Sequence, residues 1–177
     1  MGIIKVDELT GITGDGGPSS PITFSGDTIS KFKAPAGMII GVENTTTTTI
    51  VPKSDSTFTT VISDSITVQA GSKVLINVSI PVSAGTDSIP AGGQIIQTGT
   101  ASATIMPSTE IMDEHHASSG GYFGGTFMSG VLSTAGSYTF SFQGNRLSGS
   151  STVYFVSANP GSGSPSIATM TLYEIAG

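Results

Sequence analysis

The sequence predicts an antiparallel, jelly-roll-like β-sandwich over residues 37–177, preceded by an extended arm over residues 1–36. Three observations carry that expectation. About two-fifths of the chain is Ser, Thr or Gly and only 10% is charged, a composition poor in helix formers and suited to pleated surfaces and turns. Apolar residues recur at every second position in several runs, which places them on one face of a strand. Turn sequences bearing Gly, Pro or Asn punctuate those runs about every 8–12 residues, the spacing of an all-β sandwich or barrel. An apolar fraction of 37% and a mean hydropathy of +0.22 exceed what a disordered chain shows, and 177 residues suit one core.

Taken in order, residues 1–36 hold short apolar pieces (Ile3, Ile4, Val6, Leu9, Ile12, Ile22, Phe24) broken up by Gly11, Gly14, Gly16, Gly17, Pro18, Pro21 and Gly26. None is long enough for a helix or a long strand, and an arm laid on another surface fits the pattern. Weaker strands are expected at 38–43, 45–51, 57–62 and 65–70. The threonine run 45–49 reads as a sheet-edge strand, with Pro52 and Lys53 guarding it. The clearest strand is 73–83, where Val74, Ile76, Val78, Ile80 and Val82 share a face. Pro81 cannot donate to a ladder, so the late part of this strand is expected at an edge or a bulge.

Further weak strands are expected at 94–98, 102–106 and 121–131, with turns at Pro90-Ala91-Gly92-Gly93 and Gly144-Asn145. Residues 108–116 are the one helix candidate: Ser108 can cap it, and Glu110, Asp113 and Glu114 favour its N-terminal end. Tyr138, Phe140 and Phe142 form an aromatic inward row. In 152–157 either Val153 and Phe155 or Tyr154 and Val156 face inward, and 167–175 closes the chain with another alternating run.

Charge and composition exclude several functions. There is no cysteine, hence no disulfide, thiolate nucleophile or Cys-based zinc site. Twelve acids against six bases give a net charge of −6, and the bases are scattered apart from Lys31 and Lys33, so a nucleic-acid partner is not expected. No apolar run approaches the length that spans a bilayer, and the opening residues lack a signal peptide's apolar core. The expectation is therefore a soluble protein made in the cytoplasm, without a membrane partner.

The only grouping of carboxylates with imidazoles is Asp113-Glu114-His115-His116. Adjacent histidines point to different sides of a strand or a helix, and no third histidine exists, so Asp113, His115 and His116 are weak metal candidates. The expectation is a polar loop without metal or cofactor. No G-x-S-x-G elbow and no phosphate loop occur, and only His115 or His116 could act as a base for a serine nucleophile. No catalytic residues are assigned, and the chain is not expected to be an enzyme.

Two segments resemble known proteins. Ile4-Lys5-Val6-Asp7-Glu8-Leu9-Thr10, followed by Gly14-Asp15-Gly16-Gly17-Pro18, resembles the short N-terminal module on tail-fibre-like and virion proteins of tailed bacteriophages, cyanophages included. Ser72 to Ile80 and the closing Thr169 to Gly177 resemble the compact β-sandwich that follows that module. The resemblance implies a virion structural component, often a homotrimer, and brings no catalytic residues.

Size then points to a role. A receptor-binding fibre needs reach from heptads or a repetitive stalk, and neither is present. An arm plus one small sandwich suits a head decoration or cement protein bound to the major capsid protein or another virion protein. In that reading Ile3, Ile4, Val6, Asp7, Leu9 and Ile12 of the arm bind the partner. A tail-fibre or receptor-binding tip is the alternative reading, and a carbohydrate-binding module a more distant one. Sugar platforms usually need exposed aromatic faces, and Trp is absent.

Overall fold

In a computed structural model the chain is described over residues 34–84, 89–99, 104–105, 112–116, 120–157 and 165–177. Among the described residues eleven strands form two sheets, all paired antiparallel, and no helix occurs. The strands are β1 (Ile39–Thr47), β2 (Val51–Lys53), β3 (Thr59–Val68), β4 (Lys73–Ala84), β5 (Ile89–Thr98) and β6 (Thr104–Ile105). They continue as β7 (Met112–His116), β8 (Gly121–Met128), β9 (Gly136–Arg146), β10 (Val153–Phe155) and β11 (Ala168–Ile175).

One sheet runs β1-β11-β4-β8, with β10 and then β2 added beside the end of β4; the other runs β3-β9-β5, with β6 and β7 sharing the far flank of β5. Setting aside the short β2, β6 and β10, the strands fall into two interleaved four-stranded sheets, β1-β11-β4-β8 and β3-β9-β5-β7. That strand order is the jelly roll's pair of Greek keys. The sandwich expected from alternation is therefore present, with β3 packed across from β1 and β11.

The core is the one the alternation marks. Val74, Ile76, Val78, Ile80 and Val82 of β4 are buried, as are Tyr138, Phe140 and Phe142 of β9. In β10 it is Val153 and Phe155 that face inward. Val156 is buried as well, because the chain turns there with φ +64°, a conformation that β-branched residues rarely adopt. Two backbone bonds hold it: its N–H donates to Pro81 O (2.7 Å), and its carbonyl accepts from Ser166 N–H (2.9 Å).

Several local expectations are corrected. Residues 112–116 are a strand, not part of a helix, because Ile89–Gly93 of β5 offers an open flank and ladder pairing outweighs a weak helical preference; 108–111 lie outside the described residues. Pro90 to Gly93 and Gly144-Asn145 lie inside β5 and β9 rather than in turns. The two strands expected at 57–62 and 65–70 are a single strand, β3 over Thr59–Val68, with a register shift between Thr60 and Ile62.

Pro81 sits in a central strand rather than at an edge or bulge. Its missing N–H falls on the flank where β4 passes from β11, paired as far as Ser79, to β10, paired from Val82, so no ladder bond is lost. The threonine run does begin in an edge strand: β1 borders its sheet and carries Thr45 to Thr47.

Candidate functional site

The side chains that sequence reading singled out are not brought together in the described residues. Ile3, Ile4, Val6, Asp7, Leu9 and Ile12 lie outside them. Asp113, His115 and His116 are placed by backbone only, at register positions opposite Gly92, Pro90 and Ile89. Among the described residues no group of three or more His, Cys, Asp or Glu side chains could hold a metal ion.

Several of the described charged groups hold strands and turns together. Glu174 is buried, and its Oε1 accepts from Gln69 N–H (2.6 Å) and Ser72 Oγ–H (2.7 Å), which ties β11 to the β3–β4 turn. That turn has Gly71 at φ +91°, as the third residue of a type II turn requires. Lys53 is buried at the end of β2 and donates to Asp55 Oδ1 (2.7 Å) and Thr59 Oγ1 (2.9 Å).

The Lys53 ammonium, then the Thr57 amide, hold the exposed Asp55 carboxyl below the usual carboxylate range. A carboxyl with a lowered folded-state pKa contributes stability that is complete above its unfolded pKa and is lost as pH falls through the folded value. Asp55→Asn is therefore expected to lower the melting temperature at neutral pH by a small amount, and the gap to the parent should close in acid. Melting curves at several pH values check it. A gap that stays constant down to the acid limit contradicts the pairing.

Asp64 faces inward on edge strand β3, between Ile62 and Ile66 and opposite Phe140. Its Oδ1 accepts from Ser65 N–H, while its buried Oδ2 has no partner among the described residues. An inward carboxylate on an edge strand discourages unwanted strand addition, because a further strand would bury the charge completely.

The distinctive surface is the outer face of the β1-β11-β4-β8 sheet. Directly paired residues share a face, so the registers define rows across it. One row is Val42, Tyr173, Leu75 and Met128; the row beside it, towards the β3–β4 turn, is Ile39, Ile175 and Lys73. On the other side follows a polar row of Asn44, Thr171, Asn77 and Thr126, in which Asn44 Nδ2 donates to Thr171 Oγ1 (2.7 Å). Ile39, Val42 and Met128 are 51%, 54% and 45% exposed. Sequence reading missed this band, because its members sit on four strands far apart in the chain and only the registers align them.

No family model and no curated protein matches the chain. Among solved structures, the chain is similar to that of the infectious bursal disease virus Gx strain at 12% identity and a TM-score of 0.41, over 78% of this chain and 37% of that one. It is also similar to a mutant VP2 protein of infectious bursal disease virus in derived T=1 particles, at 11% identity and a TM-score of 0.43, over 89% and 41% of the two chains. The VP2 subviral particle of the same virus gives 11% identity and a TM-score of 0.43, over 77% and 38%. The chain spans about four-tenths of the length of these solved chains.

Proposed function

We propose that this protein is a virion structural component, and specifically a head decoration or cement protein that binds and stabilises a capsid as a homotrimer. The observation that carries the reading is where the resembling segments fall. Ser72 to Ile80 covers Lys73–Ile80 of β4 and Thr169 to Gly177 covers Thr169–Ile175 of β11, hydrogen-bonded neighbours at the centre of one jelly-roll sheet, from Lys73 opposite Ile175 to Ser79 opposite Thr169. The resembling segments of the body thus lie on the framework of the fold and not on a loop, while those of the arm lie outside the described residues. Jelly rolls serve capsids, lectins and cupins alike, so the fold alone does not choose among them.

In this reading residues 1–36 are the attachment arm and the sandwich is the body. Ile3, Ile4, Val6, Leu9 and Ile12 each offer about 1.5–3 kcal/mol of burial, against about 1–2 kcal/mol per ordered backbone residue. That balance is close, and many copies on a symmetric shell make such single contacts sufficient.

Gold-labelled antibody against the protein should decorate the heads of purified virions. Label confined to the tail would favour a fibre or receptor-binding tip, and label on neither would defeat the virion reading. Deleting residues 1–20 should leave a folded sandwich with an unchanged strand-rich circular dichroism spectrum that no longer attaches to particles. Wild-type occupancy by the truncated protein would rule out the arm's role.

A further inference from the structure

We propose that the outer face of the β1-β11-β4-β8 sheet packs against a second copy of this chain, through the band of Ile39, Val42, Leu75, Met128, Tyr173 and Ile175. The registers set these six side chains in two adjacent rows, one crossing the sheet from edge strand β1 to edge strand β8 and the other running from β1 through β11 to Lys73 of β4. Three of the six are about half exposed, and the others are partly buried by their neighbours. A contiguous apolar band on the surface marks an interaction site. Its composition, with Tyr and Met present and Asp and Glu missing, is that of an interface centre.

Charge argues for a second copy as the occupant. The chain carries a net charge of −6, so two copies repel each other over most of their surface. Between the Val42 row and Tyr122 at the far end, the outward positions of β1, β11, β4 and β8 hold Thr, Asn, Ser, Gly, Pro and apolar residues and no charge; Lys73 stands at the rim. This is a face on which like-charged molecules meet without burying an ion. A cationic partner would find nothing here to attract it. The same band on another copy matches it in width and chemistry. The inference depends neither on the virion reading nor on its homotrimer, since a band that meets the same band on another copy is a two-fold contact that joins chains in pairs.

The test is sedimentation velocity of the full chain across a concentration series, with Val42→Glu and Met128→Glu as exposed substitutions that leave the core intact. Ser63→Glu, on the outward face of β3 in the other sheet, is the control. The parent and the control should self-associate, and each band variant should weaken association by about tenfold or more. Raising salt should strengthen the parent's association by screening like charge. A parent that stays monomeric at high concentration, band variants that associate as the parent does, or a control that is lost equally would each overturn the proposal. Monomeric parent protein whose Val42→Glu variant fails to attach to particles would assign the face to a capsid partner instead.

Discussion

Phe142→Ala is expected to destabilise the sandwich by about 3–5 kcal/mol, the cost of emptying a large buried site that cannot collapse. Phe142 of β9 lies with Phe123 of β8 and Phe155 of β10 in a cluster of three rings. Their centroids are 5.6 Å apart for Phe123 and Phe142, 6.0 Å for Phe123 and Phe155, and 6.3 Å for Phe142 and Phe155. Phe123 and Phe155 belong to one sheet and Phe142 to the other, so the cluster bridges the two layers. All three rings are buried, and the tilted and edge-on contacts add to the area they remove from water. Truncating Phe142 removes the one ring contributed by its own sheet.

Thr139→Ala, three residues earlier on the outward face of β9, loses a hydroxyl contact with Ser65 (2.7 Å) and should cost under about 1 kcal/mol. Urea unfolding of both variants checks the pair. A shift in midpoint for Phe142→Ala no larger than that for Thr139→Ala would contradict the assignment of faces.

The strands with an uninterrupted apolar alternation were legible in the sequence, because period 2 states the buried face directly. The run from Val74 to Val82 and the row Tyr138, Phe140, Phe142 needed no tertiary information. What stayed hidden depends on partners distant in sequence. Pro81 tolerates a central strand only because β11 ends and β10 begins beside it, and the β7 segment is a strand only because β5 has a free flank. The apolar band of the outer face is invisible for the same reason: Val42, Leu75, Met128 and Tyr173 become neighbours through three registers, and in each strand alone the outward residues read as mixed.

The glycines show this dependence most sharply, and they give the second large expected effect. Gly93 and Gly144 read locally as turn residues, yet they sit directly opposite each other in β5 and β9, both facing inward. A glycine inside a strand marks a close approach, and here the approaching groups are the rings. A Cβ on Gly93 would lie 2.7 Å from Cζ of Phe142, and one on Gly144 would overlap the Phe155 ring at three of its carbons. Neither position has a positive φ, so the demand is for space and not for backbone freedom.

Gly144→Ala should therefore destabilise by about 1–3 kcal/mol through overpacking, although Gly→Ala at an unstrained site normally stabilises by about 0.4–1 kcal/mol. Gly124→Ala on the outer face of β8 supplies the comparison, since its Cβ would meet only Val78 O at 3.8 Å, and it should be neutral or stabilising. Combining Gly144→Ala with Phe155→Leu should cost less than the sum of the two single changes, because the smaller side chain vacates the volume that the new methyl needs. Melting temperatures of the four variants decide it: a Gly144→Ala protein as stable as Gly124→Ala, or additive behaviour in the double variant, would mean that the Phe155 ring does not occupy the space over Gly144.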